Sequence, residues 1–336
     1  MTRVAVVGAG SWGTAVAAIV AGNASTTLWA RREDLAAGIE TDHENTDYLA
    51  GVTLPDALHA TSDLAAACTD ADVVVFAVPS HGLRAVLAEA RPYIGANVAI
   101  VSLAKGIEQG TLLRMTEVIA EVLSEHDANR IGVLTGPNLA REVAAGQPTA
   151  SVVAVSDAVV ADELQRVFFA PTFRVYTNPD VVGCEMAGAL KNVLAIGAGI
   201  ADGLGYGDNT KAALITRGLA ELARLGVALG GEPLTFAGLA GMGDLIATCA
   251  SPQSRNRHVG VEIGRGRALD EVVSEMNMVA EGVKTTAAVI ELAARHKVEM
   301  PLAAFVGRVL YEGAHPADLI PELMMRKAKP ELHGMP

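Results

Sequence analysis

The sequence predicts two domains: an α/β domain with a mostly parallel sheet over residues 1–179, then an all-helical domain over residues 180–336. Three observations carry this reading. The chain has 336 residues, which is room for about two domains. Its first half alternates short β-branched runs with longer Ala-rich segments, the pattern of buried parallel strands joined by helical crossovers. After Asn178-Pro179 those runs stop and helical periodicity takes over.

In chain order, strands are predicted at 3–7, 26–30, 72–78, 97–103, 130–134, 150–155 and 173–176. Helices between them are predicted at 13–21, 82–90, 112–123 and 138–145. In the second half helices are predicted at 183–201, 209–225, 252–264, 269–275, 284–295 and 302–311. Ser251 before Pro252 reads as an N-cap followed by proline at the first helical position.

Composition narrows the function classes. Apolar residues make up 51% and charged residues 19%, the reverse of a disordered chain. The net charge is −12, so the basic footprint of a nucleic-acid binder is missing and anionic lipid surfaces are disfavoured. An anionic substrate therefore needs a local cluster of Lys and Arg that works against the overall field. Cys68, Cys184 and Cys249 are odd in number and far apart, with no metal-ligand spacing, so no metal is expected. They fit a reducing, cytoplasmic setting. The uncharged run from Val4 to Ala30 is broken by Gly8, Gly10, Gly13 and Gly22, which argues against a signal peptide. Lys191, Asn192 and Asp202 break the apolar stretch 186–204, so no membrane span is expected.

Gly8-Ala9-Gly10-Ser11-Trp12-Gly13 follows the first strand and opens an Ala-rich helix. In that context G-x-G-x-x-G is a dinucleotide-binding pattern of Rossmann type. Gly8 allows the tight turn, Gly10 the approach of a pyrophosphate, and Gly13 close helix–strand packing. At the end of the second strand stand Arg31 and Arg32, where NAD-specific proteins place an acid. Guanidinium groups suit a 2′-phosphate, so NADP(H) is preferred and NAD(H) remains open. Glu33 and Asp34 offer the alternative of pairing with those arginines on a solvated surface. Lys105, at a strand end beside Gly106, points either to solvent or to the active crevice.

In the second half, Lys191 lies in an almost wholly apolar helix. Desolvation lowers a lysine's pKa, and such a group exchanges protons near neutral pH. A structural lysine paired with Glu185 or Asp202 is the alternative. Gly-rich backbone around Asp244 suggests close approach to a small ligand, with Thr248 one turn on. Ser254, Arg255 and Asn256 at a helix start make a phosphate site, or else an ordinary solvated helix start.

GALKNVLAIGAGIADGLGYGDN, running from Gly188 to Asn209, resembles the signature of the bacterial-type NAD(P)-dependent glycerol-3-phosphate dehydrogenase family. GAGSWGTA, SLAKGIE, TGPNLARE, AGMGDL and QSRNR are similar to its other blocks, in the same order and across nearly the whole chain. The resemblance implies a Rossmann domain joined to a helical domain of the 6-phosphogluconate-dehydrogenase-like kind. It implies reversible reduction of dihydroxyacetone phosphate to sn-glycerol 3-phosphate, feeding glycerophospholipid synthesis. It makes Lys191 the proton acceptor and Lys105 a lysine touching both cofactor and substrate. Gly136, Asn138, Asp244, Ser254, Arg255 and Asn256 match substrate positions, with Asn138 standing where Ser or Thr is expected. Ser11, Trp12, Arg31, Arg32, Ala140, Val279 and Glu281 match cofactor positions, and Arg255 is placed at the cofactor too. Asp244 and Thr248 are expected to orient Lys191. The partners expected are the small-molecule substrate and, at most, a second copy of the chain in a homodimer. Two other readings stand beside this one: a related reductase of another small phosphorylated or hydroxy-acid substrate, and a dinucleotide-binding redox sensor without turnover.

Overall fold

A computed structural model describes residues 1–276 and 279–331. The chain divides into two compact units. The first comprises Met1–Ala104 and Arg114–Val181; the second comprises Lys105–Leu113 and the residues from Val182 onward. Lys105, placed by sequence within residues 1–179, thus packs with the helical unit.

The first unit is an eight-stranded sheet: β1 (Arg3–Val7), β2 (Ser25–Trp29), β3 (Leu58–Thr61), β4 (Val73–Phe76), β5 (Ala99–Ser102), β6 (Ile131–Thr135), β7 (Thr149–Ala154) and β8 (Phe173–Asn178). Their spatial order is β3-β2-β1-β4-β5-β6-β7-β8. All pairs are parallel except β6 with β7. Val4, Val6 and Leu28 are fully buried with Val73 and Val75, as expected of a sheet covered on both faces. Its helices are α1 (Ser11–Ala21), α2 (Glu33–Asp42), α3 (Leu64–Cys68), α4 (Leu83–Ala90), α5 (Met115–Val122), α6 (Ala140–Ala144) and α7 (Ala158–Val167). Sequence reasoning misses β3, because LHAT has one fully buried residue and pairs at the sheet's edge. It misses α2, α3 and α7 too, of which α3 has only five residues.

The second unit holds α8 (Val181–Gly203), α9 (Asp208–Ala228), α10 (Pro233–Ala237), α11 (Asp244–Ala250), α12 (Arg255–Gly264), α13 (Leu269–Ser274), α14 (Glu281–Arg295), α15 (Pro301–Tyr311) and α16 (Pro316–Met324). Helix α8 is its axis. By length and composition it could cross a membrane, but 89% of its apolar window is buried inside the protein. It is the core helix that Met186, Leu190, Val193 and Ile196 build. The predicted helix start at Ser251-Pro252 is displaced. Ser251 ends α11, and α12 begins three residues later, where the Ser254 side chain accepts from the Arg257 N–H. A serine that caps from its own hydroxyl outcompetes a proline that merely tolerates the first turn.

Helices α8 and α12 cross on glycine. A Cβ at Gly199 would sit 2.0 Å from the Arg257 carbonyl oxygen, and one at Gly260 2.1 Å from that of Ile196. Backbone meets backbone there, so no side chain can move aside. Gly260→Ala should cost about 1–3 kcal/mol or more, read as a lower melting temperature. Gly38→Ala, inside α2 with open space around it, should be neutral or stabilising by about 0.5–1 kcal/mol. Equal melting shifts in the two variants would show that the crossing is not tight.

Candidate active site

In the first unit, β1 lies between β2 and β4, the switch point of the sheet where ligands of such folds bind. The glycine loop follows β1 directly. Gly8 has φ +123°, and a Cβ on it would fall 2.8 Å from the Ala77 carbonyl oxygen. A Cβ on Gly13 would fall 2.0 Å from the Gly8 carbonyl oxygen, so α1 packs directly onto the turn. Beside Gly10 a Cβ would meet nothing within 4 Å. The first turn of α1 has no side-chain cap and no acidic residue, which leaves its N–H groups suited to phosphate. Trp12 Nε1 is buried there with no hydrogen-bond partner among the described residues.

A buried asparagine that sequence reasoning missed holds this loop. Asn45 Nδ2 donates to the Ala9 carbonyl at 2.9 Å and to Thr14 Oγ1 at 2.8 Å, while its Oδ1 accepts from the Tyr48 N–H. Ser11 Oγ donates to the Tyr48 carbonyl at 2.6 Å. Nothing in the sequence marks Asn45, because both acceptors of its Nδ2 group lie more than thirty residues away. Arg31 and Arg32 are both exposed just beyond β2. Arg32 pairs with Asp47 and, at 3.5 Å, with Asp34, so the alternative weighed for the arginine pair holds for Arg32. Arg31 makes no ion pair among the described residues. Gly136 and Asn138 follow β6 in this same unit, Asn138 Nδ2 lying 3.5 Å from Ser151 Oγ, and Ala140 opens α6.

The second unit contains a buried charge centre. Lys191 and Asp244 are 5% and 2% exposed. The Lys191 ammonium donates to Asp244 Oδ1 and to Thr248 Oγ1, the latter at 2.6 Å. Lys105 Nζ donates to the other carboxylate oxygen, Asp244 Oδ2, at 2.8 Å. Thr248 Oγ1 in turn donates to the Asp244 carbonyl at 2.7 Å, one helical turn back. The structural alternative for Lys191 fails at Asp202, which is occupied by Arg257 and Lys211. Asp244 reaches the centre because the chain widens into a π-turn over Leu239–Gly243 and delivers it as the first residue of α11. Such turns are frequent at functional sites.

Two ammonium groups on one carboxylate leave a surplus positive charge out of water. The Lys191 pKa is lowered to about 8: burial is the largest cause, Asp244 opposes it, and the Lys105 charge adds to it. Lys191 is therefore poised to exchange its proton near neutral pH. The three cysteines are free and buried, and burial pushes the Cys68 and Cys249 thiols up to about 11 and about 12. Those two thiols are not nucleophiles at neutral pH.

A relay of amides surrounds the centre. Asn192 Nδ2 donates to the Lys105 carbonyl at 2.9 Å, Asn256 Nδ2 donates to Asn192 Oδ1 at 3.0 Å, and the Gly282 N–H donates to Asn256 Oδ1 at 2.9 Å. The Glu281 carboxylate accepts from the Lys105 N–H at 3.4 Å. The Asn256 amide is engaged at both ends by protein, the Ser254 hydroxyl accepts from the Arg257 N–H, and the Arg255 guanidinium is exposed in the first turn of α12. Val279 is exposed, just before α14. No group of three or more His, Cys, Asp or Glu side chains suited to a metal occurs among the described residues.

A pyrophosphate-accepting loop at a sheet switch point, with a proton-exchanging lysine in the helical unit, is the equipment of a nicotinamide-dependent oxidoreductase. The comparisons are more specific. Models of the NAD-dependent glycerol-3-phosphate dehydrogenase family match twice, its N-terminal part over residues 3–161 and its C-terminal part over residues 180–321. The glycerol-3-phosphate dehydrogenase (NAD(P)+) 2 of Sphingopyxis alaskensis is 55% identical over 98% of both chains. The corresponding protein of Thermobifida fusca is 53% identical over the full length of both. The crystal structure of glycerol-3-phosphate dehydrogenase from Coxiella burnetii superimposes with a TM-score of 0.91 at 38% identity, covering 97% of this chain and 99% of that one. The chain belongs to the NAD-dependent glycerol-3-phosphate dehydrogenase family.

Proposed function

We infer that the protein catalyses the reversible NAD(P)H-dependent reduction of dihydroxyacetone phosphate to sn-glycerol 3-phosphate, a step that supplies glycerophospholipid synthesis. The observation that carries the reading is the sharing of Asp244 by buried Lys191 and half-buried Lys105. When bound, a nicotinamide cofactor would supply the hydride for carbon 2. The residues that would hold it are Gly8, Gly10, Ser11, Trp12, Gly13, Arg31, Arg32 and Ala140 in the first unit. Lys105, Arg255, Val279 and Glu281 keep the cofactor role that the family resemblance gives them.

Reduction at carbon 2 makes its oxygen an alkoxide in need of a proton. Lys191 donates that proton from Nζ and takes it back in the oxidation direction. Lys105 stabilises negative charge on the same oxygen, and its own charge keeps the Lys191 proton labile. Asp244 and Thr248 aim Lys191. Arg255 and the free N–H groups at the start of α12 bind the phosphate, with Gly136 and Asn138 as further substrate contacts. Binding energy from that remote group then serves positioning at the reacting carbon.

Lys191→Met should lower kcat by about a hundredfold to ten-thousandfold in an assay with dihydroxyacetone phosphate. NADPH affinity, measured by fluorescence titration, should survive. A variant that melts early yet turns over at the parent rate per folded molecule would make Lys191 structural.

The pH profile has a defined sign. Reduction needs Lys191 protonated, so kcat/KM for dihydroxyacetone phosphate should fall as pH rises through about 8. Oxidation of glycerol 3-phosphate needs it neutral and should rise through the same range. Since Asp244 raises this pKa, Asp244→Asn should move the limb of the residual activity to lower pH. An unmoved limb would assign it to another group.

For the coenzyme we propose a preference for NADP(H), supported by Arg31, the arginine beyond β2 without an acidic partner. A charge-assisted contact to phosphate is worth roughly 1.5–3 kcal/mol. Replacing Arg31 and Arg32 together by Ala should therefore raise the KM for NADPH about tenfold to a hundredfold and leave NADH nearly unchanged. Arg31→Ala alone should produce most of that effect. Equal losses with both coenzymes would refute the assignment.

A further inference from the structure

The second unit contains a cavity of about 1050 Å³ that Lys191, Lys105 and Asp244 do not line. Its walls come from the second half of α8, from α9, α15 and α16, and from the segment after α16. Leu194, Ile200, Phe305 and Leu323 are among the apolar residues that form the interior. The charged lining is of one dominant sign. Arg217, Arg224, Lys297, Arg326, Lys327 and Lys329 are set against two carboxylates, Glu221 and Glu299.

Those carboxylates are spoken for. Glu221 accepts from the N–H groups of Leu302 and Ala303 at the start of α15. Glu299 pairs with Arg326 and Lys329. Arg217 and Arg224 donate to the carbonyls of Glu331 and Glu299. Arg217, Arg224, Lys297 and Lys327 have no carboxylate within ion-pair distance among the described residues. In a chain of net charge −12, such a concentration of cations at the rim of an apolar cavity defines its ligand by charge and shape. A small polar anion leaves the apolar walls bare, and a neutral oil leaves the cations unused.

We propose that this cavity binds one molecule of a single-chain anionic amphiphile, taken up as a monomer from solution. Its aliphatic tail lies among Leu194, Ile200, Phe305 and Leu323, and its phosphate or carboxylate head rests on the basic rim. The size is that of a small-molecule pocket, about 300–1,000 Å³. Tail burial sets a quantitative signature, because each methylene taken out of water is worth about 0.8 kcal/mol, about fourfold in Kd.

The test is calorimetric titration of the full chain with decyl, dodecyl and tetradecyl phosphate, each below its micelle concentration. We expect one site per chain and a Kd that tightens about fourfold per methylene. Dodecyltrimethylammonium should fail to bind. Lys297→Glu with Lys327→Glu should weaken dodecyl phosphate tenfold or more. Ala213→Trp, which fills the cavity from the exposed side of α9, should abolish binding, with melting temperature and reductase activity retained. Binding that ignores head charge or chain length, or that survives Ala213→Trp, would overturn the proposal. So would alkyl phosphate binding that fails while the chain sediments with anionic phosphatidylglycerol vesicles, or while it forms a dimer that Lys297→Glu disrupts. The first of those outcomes would make the face a membrane contact and the second an interface between copies.

Discussion

The second unit is organised around one carboxylate out of water that holds two ammonium groups. An isolated buried lysine would give up its proton, and an isolated buried aspartate would take one up. Asp244 sustains charge on Lys191 and Lys105 but cannot neutralise both. The surplus is a functional asset in a reaction whose transition state develops negative charge on oxygen, because preorganised cations in a dry site act there at full strength. Removing the carboxylate from such a buried cluster would leave its ammonium partners uncompensated, which is strongly destabilising. The centre is therefore coupled to the fold as well as to the chemistry.

The rest of the helical unit keeps those three side chains in register. Lys191 and Asn192 are adjacent on α8 but face different partners: the lysine reaches Asp244 on α11, and the amide reaches Lys105 and Asn256. Asn256 lies near the start of α12, whose distance from α8 is set by the contact of Gly199 and Gly260 with opposing backbone. The Gly282 N–H closes the relay from α14. A side-chain amide suits this work because it donates and accepts at once without adding charge, and a further charge beside the lysines would shift the Lys191 pKa again. The end proposed for the phosphate, at Arg255, is exposed, where Lys191 is buried. That division fits a substrate with one charged terminus and one reacting carbon.

The dinucleotide loop follows a different logic, with backbone in place of side chains. Its glycines bring α1 against the turn after β1, with open space beside Gly10 and no side-chain cap on the first turn of α1. Asn45, from the chain after α2, supplies the rigidity that glycine lacks. The coenzyme end shows how local charge is apportioned on an acidic protein: Arg32 is tied down by Asp34 and Asp47, and Arg31 is left available.

Features that local chemistry decides are legible in the chain. Continuous apolar runs in the first half specify a sheet buried on both faces, and a glycine loop after the first run specifies where phosphate meets it. An apolar helix interrupted by Lys191 announces a lysine of altered pKa, because desolvation follows from neighbours one turn away. Edge strand β3 was illegible because only one of its residues is buried, and five-residue α3 carries too little periodicity to stand out. The start of α12 was misread by three residues, because Ser251 and Ser254 both look like caps and only the bond to Arg257 distinguishes them. Tertiary structure alone decided the pairing itself. Lys191 and Asp244 are 53 residues apart, and Lys105 and Asp244 139. It also decided that Asn256 serves Asn192 and Gly282, and that Lys105 belongs with the helices. Spacing along a chain constrains a side chain's own turn or strand. Which carboxylate answers a buried charge depends on how whole helices pack, and that information is spread over every contact between them.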